Sequence, residues 1–158
     1  MLNQPQRGTE RPAQRRVSGD PDGAAGAVAK AGRSRPRWPR RALRIAAGVQ
    51  ATLVFAQAVL AGHLLSGNAA ARAVHQQLGT EGITWIALIE IVLAVLAWRP
   101  GRGPAWPIAA TAVTFAAVVV QIGMGSTARA AVHVPLGVAI LAGNLALALW
   151  LRPPARTH

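Results

Sequence analysis

Cysteine is absent from the 158 residues, and aromatic residues make up only 4%. Without cysteine there can be no disulfide, no thiolate metal site, no thioether-attached cofactor and no redox thiol. Acidic residues are nearly missing as well. Asp and Glu number 5, and beyond residue 22 only Glu81 and Glu90 remain. Charged residues reach 14%, against about 25% in ordinary soluble domains. That deficit points to lipid as the solvent.

Hydrophobic residues take up the difference, at 52% of the chain. The net charge of +12 has the sign of a nucleic-acid binder, but 11 of the 17 Lys and Arg lie between Arg7 and Arg44, ahead of the first apolar run. Basic residues gathered on one flank are a membrane-topology signal. The expected partner is therefore a lipid bilayer and not nucleic acid.

The pattern predicts an all-α integral membrane protein, an up-down four-helix bundle behind a disordered basic N-terminal tail. Residues 1–41 are rich in Arg, Pro, Gly, Gln and Ala without apolar period, the composition of a disordered segment. The apolar region starts near residue 42, too far along the chain for a secretory signal. Spans are expected over 42–66, 73–98, 104–125 and 130–151, with a short tail at 152–158. The second is the least regular. Its continuous apolar run, Ile83 to Trp98, is short of the roughly 20 residues a span needs. A longer helix from about Ala73, taking in His75, Gly79 and Glu81, resolves this and leaves a loop over about Gly67–Arg72.

Arg and Lys then fix an expected orientation. The N-terminal tail, the second loop (Arg99, Arg102) and the C-terminal tail (Arg152, Arg156) fall on one side, and only Arg72 and Arg129 on the other. The positive-inside rule puts both termini in the cytoplasm, with the plasma membrane as the expected location. His63, His75 and His133 then lie near the outer surface.

Two of these histidines share a local pattern, His-x-x-Leu-Gly: His75-Gln-Gln-Leu78-Gly79 and His133-Val-Pro-Leu136-Gly137. Residues i and i+4 share a helix face, so each His has a glycine one turn deeper. A glycine there leaves bare backbone on which a flat group can lie. The second and fourth spans are diagonal partners in an up-down bundle, roughly 11–14 Å apart when neighbours are 8–10 Å apart. That gap suits a haem held between His75 and His133 as metal ligands, with Gly79 and Gly137 beneath it.

The stretch Gln121-Ile-Gly-Met-Gly-Ser-Thr-Ala-Arg-Ala-Ala-Val-His133-Val-Pro-Leu-Gly resembles one four-helix half of haem A synthase. So does His75-Gln-Gln-Leu-Gly followed by Trp98-Arg99. The resemblance runs over about residues 45–151, and a small four-span membrane protein of actinobacterial type and unassigned function is the nearer match expected. It implies non-covalent haem b, ligated by His75 and His133, in an electron-transfer role. The family has two such halves and this chain one, so a homodimer would rebuild the larger architecture. Arg72 stands where the family's catalytic half carries an acid, so the resemblance does not extend to oxidation of the haem.

Other readings stay open on the residues alone. His75 and His133 also suit interfacial positions in a non-catalytic protein that acts through helix packing or partner binding. A small transporter subunit is a further alternative. His63 suits an interface position. Gln57 and Gln121 lie inside spans, where polar groups face the interior and bond across helices. Glu90, eight residues from Trp98, is an acid within lipid depth and is expected to turn inward as a neutral, hydrogen-bonded group.

Overall fold

The computed structural model describes residues 37–99, 103–126 and 129–153. The stretch expected to be disordered lies outside these residues as far as residue 36. Four helices make up the described part: α1 (Trp38–Leu65), α2 (Ala69–Trp98), α3 (Trp106–Ser126) and α4 (Ala130–Trp150). Each is long and apolar enough to cross a membrane, and no strand occurs among the described residues.

The helices alternate in direction and close a four-membered ring, α1–α2–α3–α4–α1. The diagonal pairs, α1 with α3 and α2 with α4, make no close backbone approach. Two apolar clusters lie inside. One, at the end bearing the first residues of α1 and the last of α4, is Leu43, Ala47, Ala94, Leu147 and Leu151. The other, toward the opposite end, is Ile83, Val118 and Ile140.

Helix boundaries differ from expectation in two instructive places. α1 starts at Trp38, so Arg40 and Arg41 belong to its first turn and not to a tail. Pro39 favours this start, because proline's fixed φ suits the first turn and its missing N–H is not needed there. α2 starts at Ala69, because Asn68 caps it: its Oδ1 accepts from the Ala71 N–H at 3.1 Å. The expected loop over 67–72 thus shrinks to Ser66–Asn68, turned by Gly67 at a φ of 87°, where only glycine is free of strain. In α4, which starts at Ala130 as expected, Pro135 is the sixth helical residue, so the Ala131 carbonyl lacks its helical N–H partner.

The third helix-level difference lies inside α2. Leu78–Ile83 form a π-helical turn. The inward residues of α2 explain it: Ala71, His75, Gly79, Ile83 and Ala87 recur every four residues. At about 100° per residue, four such steps drift by roughly 160° and would carry the stripe off the interior. A π turn absorbs one extra residue, cuts the drift to roughly 60° and keeps the stripe facing inward.

Packing is inverted relative to a water-soluble bundle. Half of the buried hydrophobic residues among those described are alanine, with Ala47, Ala51, Ala87, Ala94 and Ala97 all under 7% exposed. Phe55, Trp85, Val113 and Val138 are 60–69% exposed. Large apolar groups outside and small ones between helices fit a lipid surround, where close van der Waals approach holds helices together. The chain is an integral membrane protein. At the end carrying both helical termini, Trp106 packs edge-on against Trp150 with centroids 4.5 Å apart, and the Arg40 guanidinium lies 5.5 Å from the Trp150 ring.

Candidate functional site

At the other end of the bundle the two patterned histidines meet. The rings of His75 and His133 lie 6.3 Å apart between centroids and are tilted by 51°. They come from the diagonal helices α2 and α4, which do not touch by backbone, so the side chains bridge the bundle axis. Each ring is half-buried. His63, in the last turn of α1, is exposed and stands apart from the pair.

Each histidine is tied to the helix that precedes it. The His133 Nδ1 lies 2.9 Å from the Gln121 main-chain oxygen. An N–H on Nδ1 donating to that oxygen leaves Nε2 with a free lone pair, the tautomer a metal ligand requires. On the other side, the Gln57 Nε2 donates to the His75 carbonyl oxygen at 2.8 Å. This bond fixes the backbone under His75 and leaves its ring uncommitted. The His75 Nδ1 is buried without a hydrogen-bond partner.

Gly79 and Gly137 are each approached by a glutamine side chain. A Cβ on Gly79 would stand 2.8 Å from the Gln57 Nε2, and a Cβ on Gly137 would stand 3.0 Å from the Gln121 Nε2. The surface expected to be bare is covered by a glutamine amide in each helix pair. The glycines matter because nothing larger leaves room for that amide. His133 also lies over Gly125, where a Cβ would approach the ring at 3.1 Å. The result is one arrangement built twice: a glutamine late in the first helix, folded over a glycine four residues beyond the histidine of the second.

A second polar group, deeper in the bundle, was not apparent in the sequence. Gln50, Glu90, Thr111 and Asn144, one from each helix, are at most 1% exposed. Thr111 donates to Pro107 O at 2.9 Å, and the Asn144 Nδ2 donates to Ile140 O at 3.0 Å. Both carboxyl oxygens of Glu90, both amide atoms of Gln50 and the Asn144 Oδ1 have no partner. The hydrogen bond expected for Glu90 is thus missing. A single amide within a long apolar run is the sequence signal that finds Gln50 and Asn144.

Among the described residues, no three His, Cys, Asp or Glu side chains gather into a metal-ion site. No protein-family model matches this chain, and no curated protein or solved structure is similar to it. The likeness to haem A synthase therefore rests on the short motifs around His75 and His133.

Proposed function

We propose that this integral membrane protein holds a haem b between His75 and His133 and serves one-electron transfer. The observation that carries this reading is the 6.3 Å separation of the two rings. Two imidazoles on opposite sides of one metal, each with an N–metal bond of about 2.0–2.1 Å, have centroids roughly 6 Å apart. The donor set favours a porphyrin over a bare ion. Zinc demands four ligands and the site supplies two, whereas a porphyrin brings four nitrogens and leaves two axial positions to fill. The unpartnered His75 Nδ1 and the His133 Nδ1 held by Gln121 suit that use. A bound haem requires the Gln57 and Gln121 amides to yield the glycine faces or to border the group from them.

Expressed with adequate haem supply and purified in detergent, the protein is expected to show a Soret band and a low-spin, six-coordinate b-type difference spectrum. His75→Ala and His133→Ala are each expected to remove the low-spin signal, and His63→Ala to leave it unchanged. A colourless protein that is still helical would sink the haem reading and leave a protein acting through helix packing.

The proposed orientation has both termini in the cytoplasm, with the plasma membrane as its location. It is supported by the 15 Lys and Arg on the side of the termini against 2 on the histidine side. Reporter fusions after Pro100 and at the C-terminus are expected to read cytoplasm, and fusions near Asn68 and Ser126 to read outside. An outside C-terminus would overturn the assignment.

A further inference from the structure

The four buried polar side chains form a layer. Each lies one turn from a residue of the apolar cluster at the terminal end of the bundle, displaced in the same direction along the bundle axis. Gln50 is three residues beyond Ala47, Glu90 four before Ala94, Asn144 three before Leu147 and Thr111 three beyond Ile108, which packs on that cluster. The neighbours on the other side are apolar again: Leu53 and Val54 on α1, Ile140 on α4 and Val118 on α3. By helix register the four thus fall at about one level of the bundle, between the two apolar clusters.

The chemistry of this layer is unbalanced in one direction. The unpartnered atoms are four oxygens and one amide nitrogen. With Glu90 ionised, acceptors outnumber donors and a negative charge is buried within lipid depth, a costly state unless a cation offsets it. With a proton on Glu90, the layer is neutral and its donors and acceptors come near to balance. A positive charge of one is therefore what the layer lacks. Other charges do not supply it. Arg44 lies nearly two turns from Gln50 on α1, Arg99 more than two turns from Glu90 on α2, and α3 and α4 carry no charged residue between their ends.

We propose that this layer is an occluded binding site for one monovalent alkali cation, taken up in exchange for the proton of Glu90. Glu90 supplies the charge, and the Gln50 Oε1, the Asn144 Oδ1 and the lone pairs of the Thr111 hydroxyl supply neutral oxygens, the ligand type hard cations prefer. On uptake the carboxylic acid releases one proton as one cation enters, so the layer stays neutral. A divalent ion would leave a net charge of +1 in hydrocarbon and is disfavoured. The site is separate from the histidine pair. Glu90 lies 15 residues along α2 from His75, about 22 Å at 1.5 Å per residue.

The test uses the full-length protein in detergent with dicyclohexylcarbodiimide, an apolar reagent that adds to protonated carboxyls in lipid-like surroundings. Mass spectrometry of the peptide bearing Glu90 reads the adduct, with exposed Glu81 as the internal control. In choline chloride Glu90 is expected to be labelled. Sodium chloride at the same ionic strength is expected to cut labelling severalfold and to raise the thermal midpoint. Gln50→Ala and Asn144→Ala should each move the protecting sodium concentration upward at least tenfold. Glu90→Gln should remove both labelling and the sodium-dependent rise while remaining helical. If neither labelling nor melting responds to sodium, lithium or potassium in the unmodified protein, the layer holds only its own proton and the proposal is overturned.

Discussion

Replacing Ala47 by leucine is expected to destabilise the bundle by roughly 1–3 kcal/mol, while the same change at Ala112 should have almost no effect. Ala47 is fully buried and packs with Leu43, Ala94 and Leu147, at the place where α1, α2 and α4 converge. Helix association in lipid rests on close approach through small side chains, so three added heavy atoms must push helices apart or force strained rotamers. Ala112 lies on the exposed side of α3, where a larger apolar group meets only the surrounding solvent. Thermal unfolding in a single detergent compares the two. Equal loss at both positions would mean that the packing of α1 on its neighbours does not limit stability.

Gly79→Leu is expected to cost about as much, for a different reason, and its cost should depend on Gln57. Already the first added carbon falls 2.8 Å from the Gln57 Nε2. The amide can swing away, but in doing so it gives up its 2.8 Å bond to the His75 carbonyl oxygen. The rest of the leucine then meets α1. Making room first with Gln57→Ala should lower the cost of Gly79→Leu, giving a coupling on the order of 0.5–3 kcal/mol. The same cycle should hold for Gly137 with Gln121, where the approach is 3.0 Å. Gly143→Leu is the control, since nothing lies within 4 Å of its Cβ position. Additive costs in both cycles would show that the glutamines do not pack on these glycines.

The four spans, their alternation and the meeting of His75 with His133 were legible because they rest on long apolar runs and short connections, which leave few ways to fold. The ends of the helices were less so. Trp38-Pro-Arg-Arg reads as a tail because three charged or ring-constrained residues hide a helix start, and the start of α2 was placed four residues late, at Ala73, because the cap signal of Asn68 lies ahead of the apolar run. The π turn over Leu78–Ile83 has no composition of its own. It shows only as a stripe spaced by four that an α-helix could not keep inward. The polar layer was hidden for a similar reason. Gln50, Thr111 and Asn144 are ordinary residues one at a time, and their sharing of one level depends on the register between helices.

The doubled arrangement of glutamine, histidine and glycine gives the two hairpins a shared pattern at one end. Helices α1 and α3 run the same way, and so do α2 and α4, so each hairpin presents its glutamine, histidine and glycine at the same end of the bundle. The two hairpins are alike at one end and unlike at the other. The histidine end keeps both sets, Gln57 with Gly79 and Gln121 with Gly137. The far end has given each helix its own polar residue, with Glu90 on one hairpin and no acid on the other. The likeness of the two hairpins is thus confined to the histidine end, and the acid breaks it at the other.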